Sequence, residues 1–367
     1  MARYALWGLI LAKLVGGWGV QWDIEWHVRV GRDTFWIPPH VMTYAGVTLA
    51  VLLCWAMLAW YTLRGDRSPD VIRVFGIAGT RGFHLAAWGM GVTVLAAPID
   101  DLWHRLFGLD VTIWSPPHLL GILGGLISSA GLMIIAREAY PANRLARTVV
   151  LVLAGAFLYR GLALVTEPAY LFGYHYGGVW FHGPAIFSAL LLPFALIPAA
   201  RLTGLRSSPA LVLVVVQLTV VIGQSISDKG FALLQPVSVM TEEIAKDPTA
   251  PIALAYAISQ KSGEAPGRSS LEPVIASLLA AGAMAAVDAR RRPVAAALAY
   301  ALVLFVLSAW MLSHSKVFGP MTPGAGVTLA ALALAIIAAV VAGRGGTVLA
   351  RALSPDAGTA ERAAIAK

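Results

Sequence analysis

The chain has 367 residues, of which 58% are hydrophobic and 13% are charged, and its mean hydropathy is +0.75. Soluble domains carry about 25% charged residues, so this composition excludes an ordinary soluble domain. The formal net charge of +8 would suit a nucleic-acid-binding protein, but the arginines gather in every second loop between apolar runs. Such placement is typical of the cytoplasmic loops of a membrane protein, and we expect no nucleic acid partner.

The apolar runs predict an all-α fold, a polytopic transmembrane helical bundle in the lipid bilayer, because helices satisfy their own backbone hydrogen bonds in lipid. We expect about ten spans. They lie near residues 4–22, 41–61, 83–99, 118–136, 148–165, 182–200, 209–225, 271–287, 294–312 and 325–342. Basic residues follow the even-numbered spans, so both termini are predicted to be cytoplasmic.

Three regions are predicted along the chain. Residues 1–205 form a metal-binding transmembrane region of three helical hairpins that repeat one another, and residues 206–353 form the C-terminal transmembrane helices. The second region contains a long external loop at 226–270, in which 240–245 and 252–258 are expected to form short helices. The polar tail, residues 354–367, is predicted to be disordered.

A duplicated motif joins spans 1 and 2 and then spans 3 and 4. The first copy contains Asp23, His27 and, after two prolines, His40. Asp100 and His104 follow 77 residues later, and one inserted residue puts the second Pro-Pro-His, ending at His118, 78 residues after the first. Both copies fall in odd-numbered loops, so they are predicted at the external face of the membrane.

The spacing within each copy predicts three convergent metal ligands. Residues four apart share a helix face, so Asp23 and His27 point the same way, as do Asp100 and His104. Proline suits the start of a helix, which places His40 and His118 at the beginning of the next span. Asp101 competes with Asp100, but only Asp100 keeps the four-residue spacing. Three protein ligands with positions left open are typical of a reactive metal site.

Other residues that recur in both copies are interpreted as supporting residues rather than ligands. Asp33 and Asp110 are interpreted as capping a helix or orienting a ligand imidazole. The paired tryptophans, Trp26 with Trp103 and Trp36 with Trp114, are interpreted as interfacial anchors.

A third hairpin carries a degenerate copy of the motif at the corresponding end. Glu167, His175 and His182 are therefore additional ligand candidates. The alternative is an aromatic belt at the membrane interface in which the histidines are incidental.

Over residues 15–130, the two motifs resemble the copper motifs of the C subunit of the particulate methane and ammonia monooxygenases. The resemblance rests on Asp23-x3-His27-x12-His40, with Arg32-Asp33-Thr34 inside it, and on Asp100-x3-His104-x13-His118. It implies two neighbouring copper sites near the external face, formed by the first and by the second triad. Asp100 stands where that family has asparagine, which puts copper at the second site in question. The family also implies a trimeric assembly with further membrane or periplasmic subunits, so a homo-oligomer or such partners are expected.

These patterns favour a membrane-embedded copper-binding oxidoreductase, similar to a monooxygenase, that acts on O₂ and a small apolar substrate at the external face. Imidazole ligands also suit zinc and iron, which stay open as alternatives to copper. Two other functions stay open as well: a metal transport or delivery protein, and a non-catalytic structural subunit of a membrane complex.

Overall fold

The computed structural model describes residues 1–31, 34–66, 68–107, 113–249, 251–263 and 271–354. The predicted tail, apart from Ser354, lies outside these ranges. The described part of the chain is mainly helical. Its helices are α1 (Ala2–Val30), α2 (Pro38–Leu63), α3 (Arg81–Phe107), α4 (Pro116–Ala139), α5 (Leu145–Thr166), α6 (Ala169–Tyr176), α7 (Gly183–Leu191), α8 (Pro193–Thr203), α9 (Ser208–Leu234), α10 (Met240–Lys246), α11 (Pro251–Ser262), α12 (Leu271–Val287), α13 (Pro293–His314) and α14 (Ala325–Ala352).

Eight helical segments among the described residues are long and apolar enough to cross a membrane, as expected of an integral membrane protein. They are Pro38–Leu63, Arg81–Phe107, Pro116–Ala139, Leu145–Tyr176, Gly178–Thr203, Ser208–Leu234, Pro293–His314 and Ala325–Ala352. Each of the ten predicted spans coincides with helix, but α1 and the 17-residue α12 are not among the eight. The helical fold class is therefore confirmed, and the count of ten spans stays a prediction.

One local prediction needs correction. The loop predicted at 226–270 begins too early, because α9 continues to Leu234; the short helices α10 and α11 lie where two were expected. The segment after α2 contains an antiparallel hairpin of β1 (Val71–Val74) and β2 (Ile77–Thr80), about which the sequence made no prediction. The two turn residues, Phe75 and Gly76, both have positive φ (50° and 80°), as the favoured two-residue hairpin turns require.

Glycine allows the first two hairpins to close tightly. A Cβ on Gly46 of α2 would lie 2.4 Å from the backbone nitrogen of Gly16 of α1. A Cβ on Gly124 of α4 would lie 2.5 Å from the carbonyl oxygen of Gly89 of α3. Gly46 and Gly124 are separated by the same 78 residues as the two Pro-Pro-His segments. Small residues at such crossings let helix backbones approach within the membrane, so the two hairpins close at equivalent positions.

The largest cluster of buried apolar residues crosses the boundary predicted at residue 205. It includes Leu6 of α1, Leu132 of α4, Ile197 of α8 and Tyr300 of α13. The helices before and after the boundary therefore share one core.

Candidate metal centre

The first triad lies where α1 ends and α2 begins. Asp23 and His27 lie on the last two turns of α1, which stops at Gly31 in the left-handed conformation (φ 73°). Pro38 and Pro39 start α2, so His40 is its third residue. Asp23 Oδ1 lies 3.4 Å from His27 Nδ1 and 3.1 Å from His40 Nε2. The three side chains that the sequence singled out are thus neighbours in space.

Backbone carbonyls orient both imidazoles of this triad. His40 Nδ1 lies 3.1 Å from the carbonyl oxygen of Thr34, and His27 Nδ1 lies 2.9 Å from the carbonyl oxygen of Asp23. A carbonyl can only accept, so these contacts assign the proton to Nδ1 in each ring and leave Nε2 as the lone-pair atom. In metal-bound histidines, the ring nitrogen that does not bind the metal commonly donates a hydrogen bond to a carbonyl or carboxylate in this way.

The second triad repeats the arrangement at the end of α3 and the start of α4. Asp100 Oδ2 lies 3.5 Å from His104 Nε2, and Asp100 Oδ1 lies 3.3 Å from His118 Nε2. One donor atom from each of the three residues can be chosen so that all lie within 4.8 Å of one another. Among the described residues this is the one set of three His, Cys, Asp or Glu side chains that meets this measure. Asp101 instead pairs with Arg105 at 2.8 Å and is 43% exposed, which favours Asp100 as the ligand candidate.

The donor atoms of the second triad lie close enough together for one cation, whereas those of the first do not all meet the same distance measure. Asp23 Oδ1 and Asp100 Oδ1 are each buried, and the imidazole nitrogens of their own triads face them at 3.1–3.4 Å. An ion bound between a carboxylate and its imidazoles would take the place of these contacts. The six side chains are 13–30% exposed, so solvent still reaches each site.

The opposite face of α1 carries a residue that the sequence reading missed. Glu25 is completely buried, and its Oε2 accepts a 2.8 Å hydrogen bond from the Ser227 hydroxyl of α9. Arg29 Nη1 lies 3.7 Å from the same oxygen. The sequence shows a polar stripe on the face of α1 opposite the ligand pair, because Gln21, Glu25 and Arg29 recur every four residues. This stripe joins the ligand-bearing end of α1 to α9.

Two of the repeated tryptophans hold the bundle together rather than lying exposed as interfacial anchors. Trp26 is 6% exposed and stacks on Phe231 of α9, with ring centroids 5.7 Å apart. The indole nitrogen of Trp114 donates to the carbonyl of Val165 at 2.8 Å, and its ring packs against Phe172. Trp36, by contrast, is 73% exposed. Equivalent sequence positions thus have different surroundings in the two hairpins.

The candidate ligands of the third hairpin have different surroundings from those of the two triads. His175 is exposed on α6, whereas His182 is 2% exposed and stacks on Phe305 of α13 at 4.8 Å. His182 Nε2 also lies 3.3 Å from the Thr328 hydroxyl of α14. Neither histidine, nor Glu167, belongs to the set of three that closes within 4.8 Å among the described residues. Their role as ligands stays a prediction, as do the roles of Asp33 and Asp110, which lie outside the described residues.

Comparison with models of protein families, with curated proteins and with solved structures finds no match for this chain. The site is therefore interpreted from its own residues.

Proposed function

We propose that the protein is a membrane-embedded copper oxidoreductase that activates O₂ and oxidises a small apolar substrate. The observation that carries the proposal is the paired arrangement of Asp23, His27 and His40 and of Asp100, His104 and His118 at the ends of two equivalent hairpins. Three protein ligands per site leave coordination positions for O₂ or water.

The donor set favours copper among the metals that imidazole binds. Each triad offers two imidazole nitrogens, and nitrogen-rich sites bind Cu(II) more tightly than the other divalent first-row metals. The carboxylate moves the preference towards harder ions, so zinc and iron are the competitors to test. Copper, when bound, supplies one-electron redox chemistry and a position for O₂.

The surrounding residues have distinct tasks in this proposal. The aspartate of each triad offsets the cation's charge, and the carbonyl of Thr34 directs His40 Nε2 towards Asp23. Tyr44 lies 5.7 Å from the His40 ring and 4.9 Å from the Phe35 ring, so aromatic side chains flank one side of the first site. They limit the access of water there. An apolar substrate concentrates in the bilayer, beside the helices that carry the ligands.

Metal transport has less support than catalysis. A transport path needs ligands along its length, and among the described residues the measure that identifies the second triad finds no other cluster of three ligand side chains. Two cationic side chains also lie between helices of the bundle. Lys13 of α1 donates to the Gly125 carbonyl of α4 at 3.0 Å, and Arg160 of α5 donates to Gln21 of α1 at 3.2 Å. Positive charges within the bundle oppose the passage of a metal cation.

The decisive experiment is copper loading of the full chain in lipid nanodiscs, followed by desalting, metal analysis and electron paramagnetic resonance. We expect two coppers per chain with nitrogen hyperfine structure, and one copper after either His40→Ala or His118→Ala. His314→Ala is the matched control, because His314 is exposed and contacts Trp310 of its own helix. Reductant-dependent O₂ consumption that rises with a short-chain alkane would then test the oxidoreductase activity.

Two outcomes would contradict the proposal. Absence of stoichiometric copper, zinc and iron after loading would remove the metal sites altogether. Two tightly bound metals without an exchangeable water or any reductant-dependent O₂ consumption would instead favour a structural subunit.

A further inference from the structure

A cavity of about 60 Å³ lies among α5, α6, α7, α12 and α13, and none of the six triad residues lines it. Four of its lining residues belong to α13: Tyr300, Leu304, Ser308 and Met311. They follow one another at intervals of four, four and three residues, so they share a helix face. At 1.5 Å per residue they extend over about 16 Å of the helix axis.

Two buried tyrosines, whose phenol groups contact each other, are among the residues that line the cavity. The hydroxyl oxygens of Tyr159 and Tyr300 are 3.2 Å apart, and the two residues are 5% and 0% exposed. Each phenol has one proton to donate and two lone pairs. When one phenol donates to the other, the second still has a proton to offer.

Three serine hydroxyls also line the cavity, those of Ser188, Ser277 and Ser308, and Ser277 donates to the Pro273 carbonyl of its own helix at 2.8 Å. Ser308 is 8% exposed, and Ser188 is half-buried. A serine hydroxyl can donate one hydrogen bond and accept two. The cavity therefore presents hydroxyl donors and acceptors to whatever occupies it.

A proline lies against the same cavity, where α7 ends at Leu191, α8 begins at Pro193 and Leu192 between them lines the cavity. Pro193 has no N–H, so the Ala189 carbonyl loses its usual intrahelical donor. The backbone stays helical at Leu192 (φ −69°, ψ −29°), so α7 and α8 continue one another with a single backbone hydrogen bond missing beside the cavity.

The lining also limits the charge and size of the ligand. No lining residue is charged, and an unpaired charge is costly to bury, so the ligand is neutral. A cavity needs a volume of roughly 10–15 Å³ to hold one water molecule, and an apolar cavity of roughly 150 Å³ holds benzene. By this scale, 60 Å³ suits a solute of about two to four non-hydrogen atoms.

We propose that this cavity is a binding site for a neutral solute of this size that carries a hydroxyl, carbonyl or amide group. The polar group binds the phenol pair and Ser308, and the short apolar part contacts Leu304 and Met311. The site is independent of the metal triads, so it stands or falls separately from the proposed oxidoreductase function.

The test uses the full chain in nanodiscs with ethanol and acetamide as probes, and ligand-observed NMR with empty nanodiscs as the background. Because so few atoms make contact, we expect binding in the millimolar range. Tyr300→Phe and Ser308→Ala each remove one hydroxyl and should weaken binding about two- to tenfold. Ser308→Leu should fill the cavity and abolish binding.

Matched controls change the same groups elsewhere. Tyr4→Phe alters a phenol that is 84% exposed, and Ser225→Ala alters an exposed serine whose hydroxyl bonds the Val221 carbonyl of its own helix. Both should bind the probes as the unaltered chain does. Should Ser308→Leu fail to fold, Tyr300→Phe still decides the question.

Three results would overturn the proposal. The first is no probe binding above empty nanodiscs, which would mean that water alone fills the cavity. The second is xenon binding that exceeds ethanol binding and is unchanged in Tyr300→Phe, which would mean an apolar void. The third is displacement of the probes by Na⁺ or K⁺, which would mean a cation site.

Discussion

Replacement of Gly46 by alanine is expected to disrupt the first of the two proposed metal sites without touching any of its ligands. The added Cβ would lie 2.4 Å from the Gly16 nitrogen, 2.6 Å from the Gly16 Cα and 2.6 Å from the Ala12 carbonyl oxygen. Ordinary contact begins near 3.4 Å, so α1 and α2 must separate by about 1 Å at this crossing. The obstacle is backbone on both sides, which cannot rotate away as a side chain can.

The expected change in the free energy of unfolding is the sum of two opposing contributions. Overpacking of this kind costs about 1–3 kcal/mol, and the better helix propensity of alanine returns about 1 kcal/mol. The net loss of stability is therefore small, roughly 0–2 kcal/mol. The site is more sensitive, because metal–ligand distances tolerate only about 0.2 Å, and Asp23 and His40 stand on the two helices that move apart. We expect the first copper to be lost and the second to remain.

The mirror variant makes the test strict. Gly124→Ala places its Cβ 2.4 Å from the Thr93 hydroxyl oxygen and should remove the second copper while sparing the first. Gly17→Ala and Gly125→Ala are controls, because nothing lies within 4 Å of a Cβ at either position. Copper per chain and thermal unfolding would be measured for all four. The reasoning is refuted if the melting temperature of Gly46→Ala is not below that of Gly17→Ala. It is also refuted if Gly46→Ala or Gly124→Ala loses both metals equally.

Three further predictions concern single contacts. Glu25→Ala removes a buried carboxylate from Ser227 and should lower the free energy of unfolding by about 1–3 kcal/mol, with Glu25→Gln retaining part of it; equal stability of all three chains would contradict this. Trp114→Phe keeps an aromatic ring, though a smaller one, and loses the 2.8 Å hydrogen bond to the Val165 carbonyl of α5; the lost hydrogen bond should lower the free energy of unfolding by about 0.5–1.5 kcal/mol, measured by chemical denaturation. Hydrogen bonding to Arg290 lowers the pKa of Asp288, in the loop between α12 and α13, to about 2, so this stabilisation is complete above pH about 4 and is lost as the pH falls towards 2. Asp288→Asn, which tolerates the same left-handed backbone (φ 67°), should thus lower the melting temperature at neutral pH and differ less and less as the pH is lowered to about 2.

The parts of the fold that depend on local sequence were predictable. Apolar runs of sufficient length locate the helices, and the four-residue spacing of Asp23 and His27 places both on one face before any packing is known. The prolines before His40 likewise predict that α2 starts there, as it does. These features need only the chain's own periodicity, and the triads follow once each hairpin closes.

The remaining features depend on contacts between distant segments. Glu25 reads as an exposed charge beside the motif until α9 brings Ser227 against it. The last turns of α9, towards Leu234, extend beyond its apolar run, so hydropathy alone placed the end of that helix too early. The Tyr159–Tyr300 pair joins α5 to α13 across 141 residues, and no periodicity in either helix indicates the partner.

The two triads are alike in sequence but differ in what surrounds them. In the first, His27 Nδ1 contacts the Asp23 carbonyl; in the second, His104 Nε2 is the nitrogen nearest the Asp100 carboxylate. The start of α10 covers the end of α1, where the Val239 N–H donates to the Val30 carbonyl at 2.7 Å. The second triad is instead tied to α5 through Trp114. A metal at the first site therefore requires the His27 ring to present Nε2, whereas the donors of the second already converge. The two proposed sites are thus preorganised to different degrees, and unequal sites can divide metal binding and reactivity between them.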